Sequence, residues 1–356
     1  MPCMHSGYQL GNIKTQPIQQ ILKAQPMQDL RNAMAAGEWH SACALCQQLE
    51  KTTGSSGRTV KICDDSTLSA IDRNINWFSL EHITVNWSNL CNLTCVYCNP
   101  DTSTAWQSIK GIPINHIKNE HPDLIELARE HGHTVRGLTL GGGEPLLQKG
   151  LVEFLQCLKP DQTRVLVTTN LSVKLESNPV YQELRTWPNV NWMISFDNVD
   201  SEKFEYVRDR ASWSLFESNI EIMKNHNQKI VAHPAYSIYC ALDLEEYYDF
   251  CVAKELNVFW CELTNPWDLD IRRYPESLKH QAVDAIDTVV SKYGHRAGLA
   301  IDTLLRYRMT LLDNSYLVSP EYSVDPLGFH ARVEQQLKKS QTFPQLWPGI
   351  TQGFVR

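Results

Sequence analysis

From about residue 83 onward, short β-rich runs at 83–87, 137–140, 165–168, 192–195, 230–238 and 258–263 alternate with helical patterns at 123–130, 149–158, 180–184, 212–225 and 244–255. Strands that alternate with helices form parallel βαβ units, whose right-handed crossovers lay the helices over the sheet. Repeated along the chain, that unit predicts an α/β fold, an open partial (β/α)6 barrel. Beyond Pro266 the strand runs stop, and 275–292, 297–312 and 329–339 read as helices packed across the barrel. Ahead of residue 80 the pattern differs, with one helical stretch at 17–36, a Gly11-Asn12 step and a polar linker from Thr52 to Gly57. Little there can build a core. The expected organisation is therefore an amino-terminal cysteine-containing module at 1–80, the barrel at 81–265 and a carboxy-terminal helical extension at 266–356.

The chain of 356 residues is 42% hydrophobic and 21% charged, with a net charge of -7. That is ordinary globular composition, and it lacks the basic excess needed to bind nucleic acid or an anionic membrane. No secretion signal or membrane-length apolar run is visible, so a cytoplasmic protein is expected. Eleven cysteines are many for such a chain. In a cytoplasmic protein they point to metal rather than to disulfides. Cys157, Cys240, Cys251 and Cys261 stand alone in apolar surroundings and read as buried small hydrophobes.

The segment Cys91-Asn92-Leu93-Thr94-Cys95-Val96-Tyr97-Cys98 follows the first strand run, which places three thiols at the carboxyl end of a strand, where barrel active sites gather. Three thiolates can hold three corners of a 4Fe–4S cube and leave one iron without a protein ligand, whereas a structural cluster normally takes four cysteines. A structural zinc site also wants four closed ligands, and the nearest imidazole in sequence is His82, on the preceding strand.

C-x-x-x-C-x-x-C with an aromatic residue, here Tyr97, before the last cysteine resembles the signature of the radical S-adenosylmethionine superfamily. The resemblance implies a 4Fe–4S cluster on Cys91, Cys95 and Cys98, with S-adenosylmethionine chelating the open iron through its amino and carboxylate groups. It implies reductive cleavage to a 5′-deoxyadenosyl radical that abstracts hydrogen from a substrate. Further segments resemble the family in order. Gly141-Gly142-Gly143-Glu144-Pro145 looks like the G-G-E-P turn that meets the methionine amino group. Thr168-Thr169-Asn170 looks like the T-N step near the cofactor. Ser195 and Asp197 stand where the family places polar groups toward the ribose and carboxylate, and their spacing predicts that both point into the barrel mouth. Arg208 resembles an arginine directed at the cofactor carboxylate, though a surface salt bridge is the competing reading. Cys261-Glu262-Leu263 falls where backbone groups contact adenine, and Trp260 or Trp267 is a candidate to line the cavity.

The first eighty residues resemble a twitch-type module with Cys3, Cys43 and Cys46 as ligands of a second, auxiliary iron–sulfur cluster. The family's earlier cysteine is absent, so Cys63, an outside group or an open position completes the set. Related enzymes with such modules often modify ribosomally made peptides, by cross-linking, epimerisation or backbone splicing such as tyramine excision. The implied partners are a precursor peptide, a separate small leader-recognition protein and an electron donor of the flavodoxin or ferredoxin type. Radical chemistry on a sugar, nucleoside or amino acid is the alternative, and a non-catalytic iron–sulfur scaffold a third.

Overall fold

The computed structural model describes residues 8–12, 15–53, 81–114, 122–263, 265–313 and 324–354. The chain divides into two compact units, residues 1–80 with 121–134 and residues 81–120 with 135–356.

The larger unit is built on six parallel strands: β1 (His82–Asn86), β2 (Gly137–Gly141), β3 (Arg164–Thr169), β4 (Val190–Ile194), β5 (Lys229–Ala232) and β7 (Asn257–Val258), in that spatial order. This is the α/β partial barrel the alternation predicts. In-register residues alternate sharply in burial. Val85, Leu138, Leu140, Val165, Val167, Trp192, Ile194, Ala232 and Val258 lie on a buried outer face. Helices seal it: Phe154 packs on Trp87, Tyr181 on Trp192, and Phe216 and Tyr247 on Phe196. The intervening residues form an inner face on which Thr84 and Asn86 are exposed and Thr139, Leu166, Thr168 and Val231 are only half-buried. All-parallel sheets are normally covered on both sides. The inner face left partly open is therefore where a ligand can be received.

Two expected strands are each split. Pro234 has no N–H to continue the ladder, so the run 230–238 becomes β5 and a separate β6 (Ala235–Tyr236). Likewise 258–263 becomes β7 and β8 (Cys261–Glu262), and β6 pairs with β8 in a two-stranded parallel sheet. Two helices absent from the sequence reading flank the cysteine loop in space. Ser103 caps Thr104–Ile109 by accepting from Trp106 N, and Asp200 caps Ser201–Val207 by accepting from Glu202 N and Lys203 N.

The carboxy-terminal helices Glu276–Tyr293, Ile301–Leu312 and Pro326–Leu337 are present, followed by two short ones, Phe343–Leu346 and Pro348–Phe354. Fully buried His330 stacks on Phe343 and shares a hydrogen bond of 2.9 Å with Tyr239, while Glu334 accepts from Tyr206 at 2.8 Å. The extension is thereby fastened to the helix Ser201–Val207 and to the segment after β6.

In the smaller unit the expected helix 17–36 is broken at Ala24 into Ile18–Lys23 and Gln25–Ala35, because Pro26 lacks the N–H a continuous helix would use. Leu30 and Met27 are buried there. Cys43 ends a short turn, Ser41–Cys43, and Cys46 lies in the helix Ala44–Thr53 that follows; both thiols are half-buried. Cys3 and Cys63 lie outside the described residues. Among the described residues no helix is long and apolar enough to cross a membrane.

Candidate functional site

The cysteine loop leaves β1 and is held by three separate parts of the larger unit. Gln148 takes a hydrogen bond from Ser88 Oγ at 2.7 Å and gives one to the Leu90 carbonyl at 3.2 Å. Behind the loop, Trp106 Nε1 donates to the Cys95 carbonyl at 2.9 Å, and Ser103 Oγ to that of Leu93 at 2.7 Å. The third support is the end of the helix Ser201–Val207, where the Val207 and Asp209 carbonyls accept from Val96 N and Thr94 N at 2.9 and 3.2 Å. The Asp209 carboxylate also receives the Thr94 hydroxyl, and it is paired at 2.8 Å with Lys339, a cation brought from the carboxy-terminal extension.

The turn after β2 lies directly on this loop. Gly143 N and Glu144 N donate to the Ser88 and Leu90 carbonyls at 2.9 and 2.8 Å. A Cβ at Gly143 would stand 2.3 Å from the Leu90 oxygen, and Gly142, with φ of 101°, would bring one within 2.8 Å of the Ser88 oxygen. These glycines admit the neighbouring backbone, a more specific requirement than the ligand approach their sequence suggests. Gly143→Ala is expected to cost about 1–3 kcal/mol through overpacking and to speed iron loss from the reconstituted protein. Gly349→Ala, where nothing lies within 4 Å, is the matched control. Equal melting temperatures and iron retention in the two variants would contradict this account.

Cys91, Cys95 and Cys98 come together at the carboxyl end of the sheet, with Cys95 buried and the other two half-buried. Burial pushes the Cys91 thiol up to about 11. A hydrogen bond between Cys95 and Cys98 keeps the proton on Cys95 and draws Cys98 down to about 7. Among the described residues no group of three His, Cys, Asp or Glu closes on a single point as the ligands of one ion do. Thiolates on the corners of an iron–sulfur cube each meet a different iron, so the donor set suits a cluster rather than a lone ion. His82 cannot make it a zinc site. It begins β1, roughly 16 Å of strand away from the loop at ~3.3 Å per residue.

Glu144 is fully buried, and its carboxylate is turned inward: Oε1 accepts from Leu146 N at 3.0 Å and Thr169 Oγ1 at 2.7 Å, and Oε2 from Asn170 N at 2.7 Å. Burial raises its affinity for a proton and the three donors oppose that. Pro145 opens the one-turn segment Pro145–Leu147 that Glu144 caps. Glu144 thus latches the end of β2 to the end of β3. The latch positions Asn170, whose Nδ2 lies 3.7 Å from Cys91 Sγ and whose Oδ1 accepts from Ser172 Oγ at 2.6 Å. Thr168 and Ser195 stay half-buried on the inner face.

Asp197 does not share the exposure of Ser195, because β4 ends at Ile194 and strict alternation ends with it. Its Oδ1 accepts from Ala235 N at 2.9 Å; its Oδ2 accepts from Tyr97 OH at 2.8 Å and lies 3.0 Å from Arg208 Nη2. Arg208 Nη2 also donates to Tyr97 OH at 2.5 Å. The pair is buried, with side-chain exposures of 6% for Arg208 and 0% for Asp197, so the surface salt-bridge reading does not hold. Desolvation alone would weaken the guanidinium's hold on its proton, but Asp197 and Tyr97 reverse that and the net shift is upward. Burial likewise pushes the Tyr97 hydroxyl up. Among the described residues, Arg208 Nε is buried without a hydrogen-bond partner. A buried orphan donor costs about 1–3 kcal/mol, which a bound acceptor would recover. Three thiols on one loop, and a buried guanidinium with one donor unspent, are a donor set that fits a cluster and an anionic ligand.

Sequence reasoning passed over Gln148, Asp209 and Lys339, which act through contacts far along the chain. Trp260, a cavity candidate, is instead core: it is 5% exposed and its Nε1 donates to Tyr248 OH at 3.0 Å. Trp267 lies under the Arg273 guanidinium, 4.2 Å from its ring centroid.

The sequence model of the Radical SAM superfamily matches residues 85–251, and that of an iron–sulfur cluster-binding domain matches residues 1–47. The chain is 30% identical over 173 residues to the 7-carboxy-7-deazaguanine synthase of Clostridium acetobutylicum, covering 48% of this chain and 67% of that one. It is 28% identical over 137 residues to the GTP 3′,8-cyclase of Peptoclostridium acidaminophilum, covering 36% of this chain but only 38% of the cyclase. Among solved structures, anSMEcpe with bound AdoMet aligns with a TM-score of 0.44 at 15% identity, covering 62% of this chain and 64% of that one. Streptococcus suis SuiB bound to precursor peptide SuiA aligns at 0.46 and 14%, covering 78% and 66%. With the superfamily match spanning the cysteine loop and strands β2 to β5 of the main sheet, and a relative matched at 30% over two thirds of its length, this chain belongs to the radical SAM superfamily and is a radical SAM enzyme, whose cofactors are a 4Fe–4S cluster and S-adenosylmethionine.

Proposed function

We propose that Cys91, Cys95 and Cys98 hold the cluster, and that S-adenosylmethionine lies across the inner face, met by Tyr97, the backbone of the Gly142-Gly143-Glu144-Pro145 turn, Thr168, Asn170, Ser195 and Arg208, with the Glu144 and Asp197 carboxylates holding Asn170 and Arg208 in place. When bound, the two cofactors together supply a 5′-deoxyadenosyl radical that takes a hydrogen atom from the substrate. The observation that carries the reading is the buried Arg208–Asp197–Tyr97 unit, which ties a guanidinium with a spare N–H to the loop bearing the three thiols. Arg208 would bind the cofactor carboxylate through that N–H, a charge-assisted contact. The Glu144 latch holds Asn170 against Cys91, so protein contacts alone set the ends of β2 and β3. The helix-covered outer face keeps water from one side of the site, and the open inner face admits substrate.

The proposed organisation is a twitch-like module at 1–80 with an auxiliary cluster on Cys3, Cys43 and Cys46, the radical domain at 81–265 and the helical extension at 266–356. The match of an iron–sulfur cluster-binding domain to residues 1–47 supports the second cluster. With it, a ribosomally made precursor peptide is the proposed substrate, by way of the twitch resemblance. A separate leader-recognition protein, an electron donor of the flavodoxin or ferredoxin type and a cytoplasmic setting complete the proposal. A small-molecule substrate is the second reading, favoured by the names of the curated relatives.

One experiment separates the two. The full chain is reconstituted anaerobically with iron and sulfide, reduced with dithionite and given S-adenosylmethionine. Synthetic short peptides encoded beside the gene are expected to raise 5′-deoxyadenosine release and to change in mass, and GTP to do neither. In the Cys43→Ala, Cys46→Ala variant, roughly half the iron and the peptide product should be lost while cleavage of S-adenosylmethionine persists. Stimulation by GTP but by no peptide would overturn the peptide reading.

A further inference from the structure

The main ladder runs one residue past the strand ends. Ser195 N donates to the Thr169 carbonyl at 2.9 Å, His233 N to that of Ile194 at 2.8 Å, and Phe259 N to that of Ala232 at 2.8 Å. Thr169, Ile194, Ala232 and Val258 are successive partners in register. The next row is therefore Asn170, Ser195, His233 and Phe259, side by side at the carboxyl edge and on the inner face. At ~4.8 Å per strand, His233 lies about 10 Å and Phe259 about 14 Å from Asn170, the residue that touches Cys91.

Neither ring is needed by the core. Phe259 is 58% exposed, an unusual position for a large apolar side chain at the carboxyl edge of the sheet. His233 is half-buried, its ring 5.7 Å from that of Phe259, and its Nδ1 lies 2.7 Å from the Phe259 carbonyl oxygen. A carbonyl can only accept, so Nδ1 carries the proton and Nε2 keeps its lone pair. Burial lowers the imidazole's affinity for a second proton, with Arg208 adding to that and Asp197 opposing it. The edge of the site thus offers a neutral acceptor with a fixed direction beside an exposed flat apolar surface.

We infer that His233 and Phe259 form a substrate subsite: Nε2 of His233 accepts a hydrogen bond from an N–H or O–H group whose flat, uncharged body rests on Phe259. The inference rests on the reading that places the cofactor at the Cys91–Asn170 end of the same row. Charged parts of a ligand are served there by Arg208; a neutral acceptor 10 Å along suits an uncharged group. The cofactor's purine has the same chemistry, and the test must tell the two sources apart.

Indole is the smallest probe with a flat apolar body and a single N–H, and N-methylindole is its partner without the donor. Both are titrated by ligand-observed NMR into the reconstituted full chain saturated with S-adenosylmethionine. Indole is expected to bind about tenfold more tightly, the worth of one neutral hydrogen bond. His233→Phe should abolish that difference, His233→Gln should retain it through its amide oxygen, and Phe259→Ala should weaken both probes. The dissociation constant of S-adenosylmethionine should be unchanged in all three variants. Equal binding of the two probes by the wild-type protein would overturn the subsite. So would a weakened cofactor in His233→Phe, which would assign the row to the purine. Release of 5′-deoxyadenosine is measured separately in the same preparations, so a failure of the radical reading shows there and not in the probe pair.

Discussion

Replacing Cys91, Cys95 and Cys98 together by alanine is expected to remove the iron of one cluster and all reductive cleavage of S-adenosylmethionine. Thiolates are the ligands that such clusters require, and among the described residues no group of three His, Cys, Asp or Glu is set to bind an ion in their stead. The loop itself should survive. Its backbone is held by Trp106, Gln148, Ser103 and the Val207–Asp209 carbonyls, none of which depends on a thiol. Far-ultraviolet circular dichroism and the melting temperature should therefore change little while iron and sulfide fall and 5′-deoxyadenosine disappears. Retained cleavage in the triple variant would end the assignment of the site.

Arg208→Leu should have the second largest effect, and it should be twofold. Asp197 is left as a buried carboxylate with only Tyr97 OH and Ala235 N as donors. Stranding one partner of a buried ion pair costs about 3–5 kcal/mol, a large share of the ~5–15 kcal/mol by which a protein is stable. The melting temperature should drop by roughly 10 °C. The affinity for S-adenosylmethionine should fall about ten- to a hundredfold with the loss of a charge-assisted contact. Adding Asp197→Asn removes the stranded charge. The double variant should regain most of the thermal stability while cofactor binding, read by calorimetry, stays weak. Recovery of both together would mean that Arg208 acts on stability alone and that its spare N–H does not face the cofactor.

Lys339 extends the same logic to the far end of the chain. Its side chain is only 7% exposed, and its ammonium neutralises Asp209, which in turn holds Thr94 between Cys91 and Cys95. The helical extension, a packing element by its sequence, therefore reaches the cysteine loop through two polar contacts.

The parallel sheet, the three-thiol loop and the turn after β2 were legible in the sequence because each depends on local pattern: periodicity, spacing and glycine. Boundaries were less so. The run 230–238 has continuous β character, and only the missing N–H of Pro234 divides it between two sheets. What each polar residue does with its hydrogen bonds was decided by contacts between distant segments. Glu144 reads as a carboxylate awaiting an ammonium group, yet it is spent on Leu146, Thr169 and Asn170 because β3 ends beside it. Ser195 and Asp197 look alike at a spacing of two, and the end of β4 sends one to the open face and the other beneath Arg208. His233 carries no signal in the sequence at all. Its lone pair acquires a direction only when the ladder sets it beside the Phe259 carbonyl, since a tautomer is fixed by a partner in space and not by a neighbour in the chain.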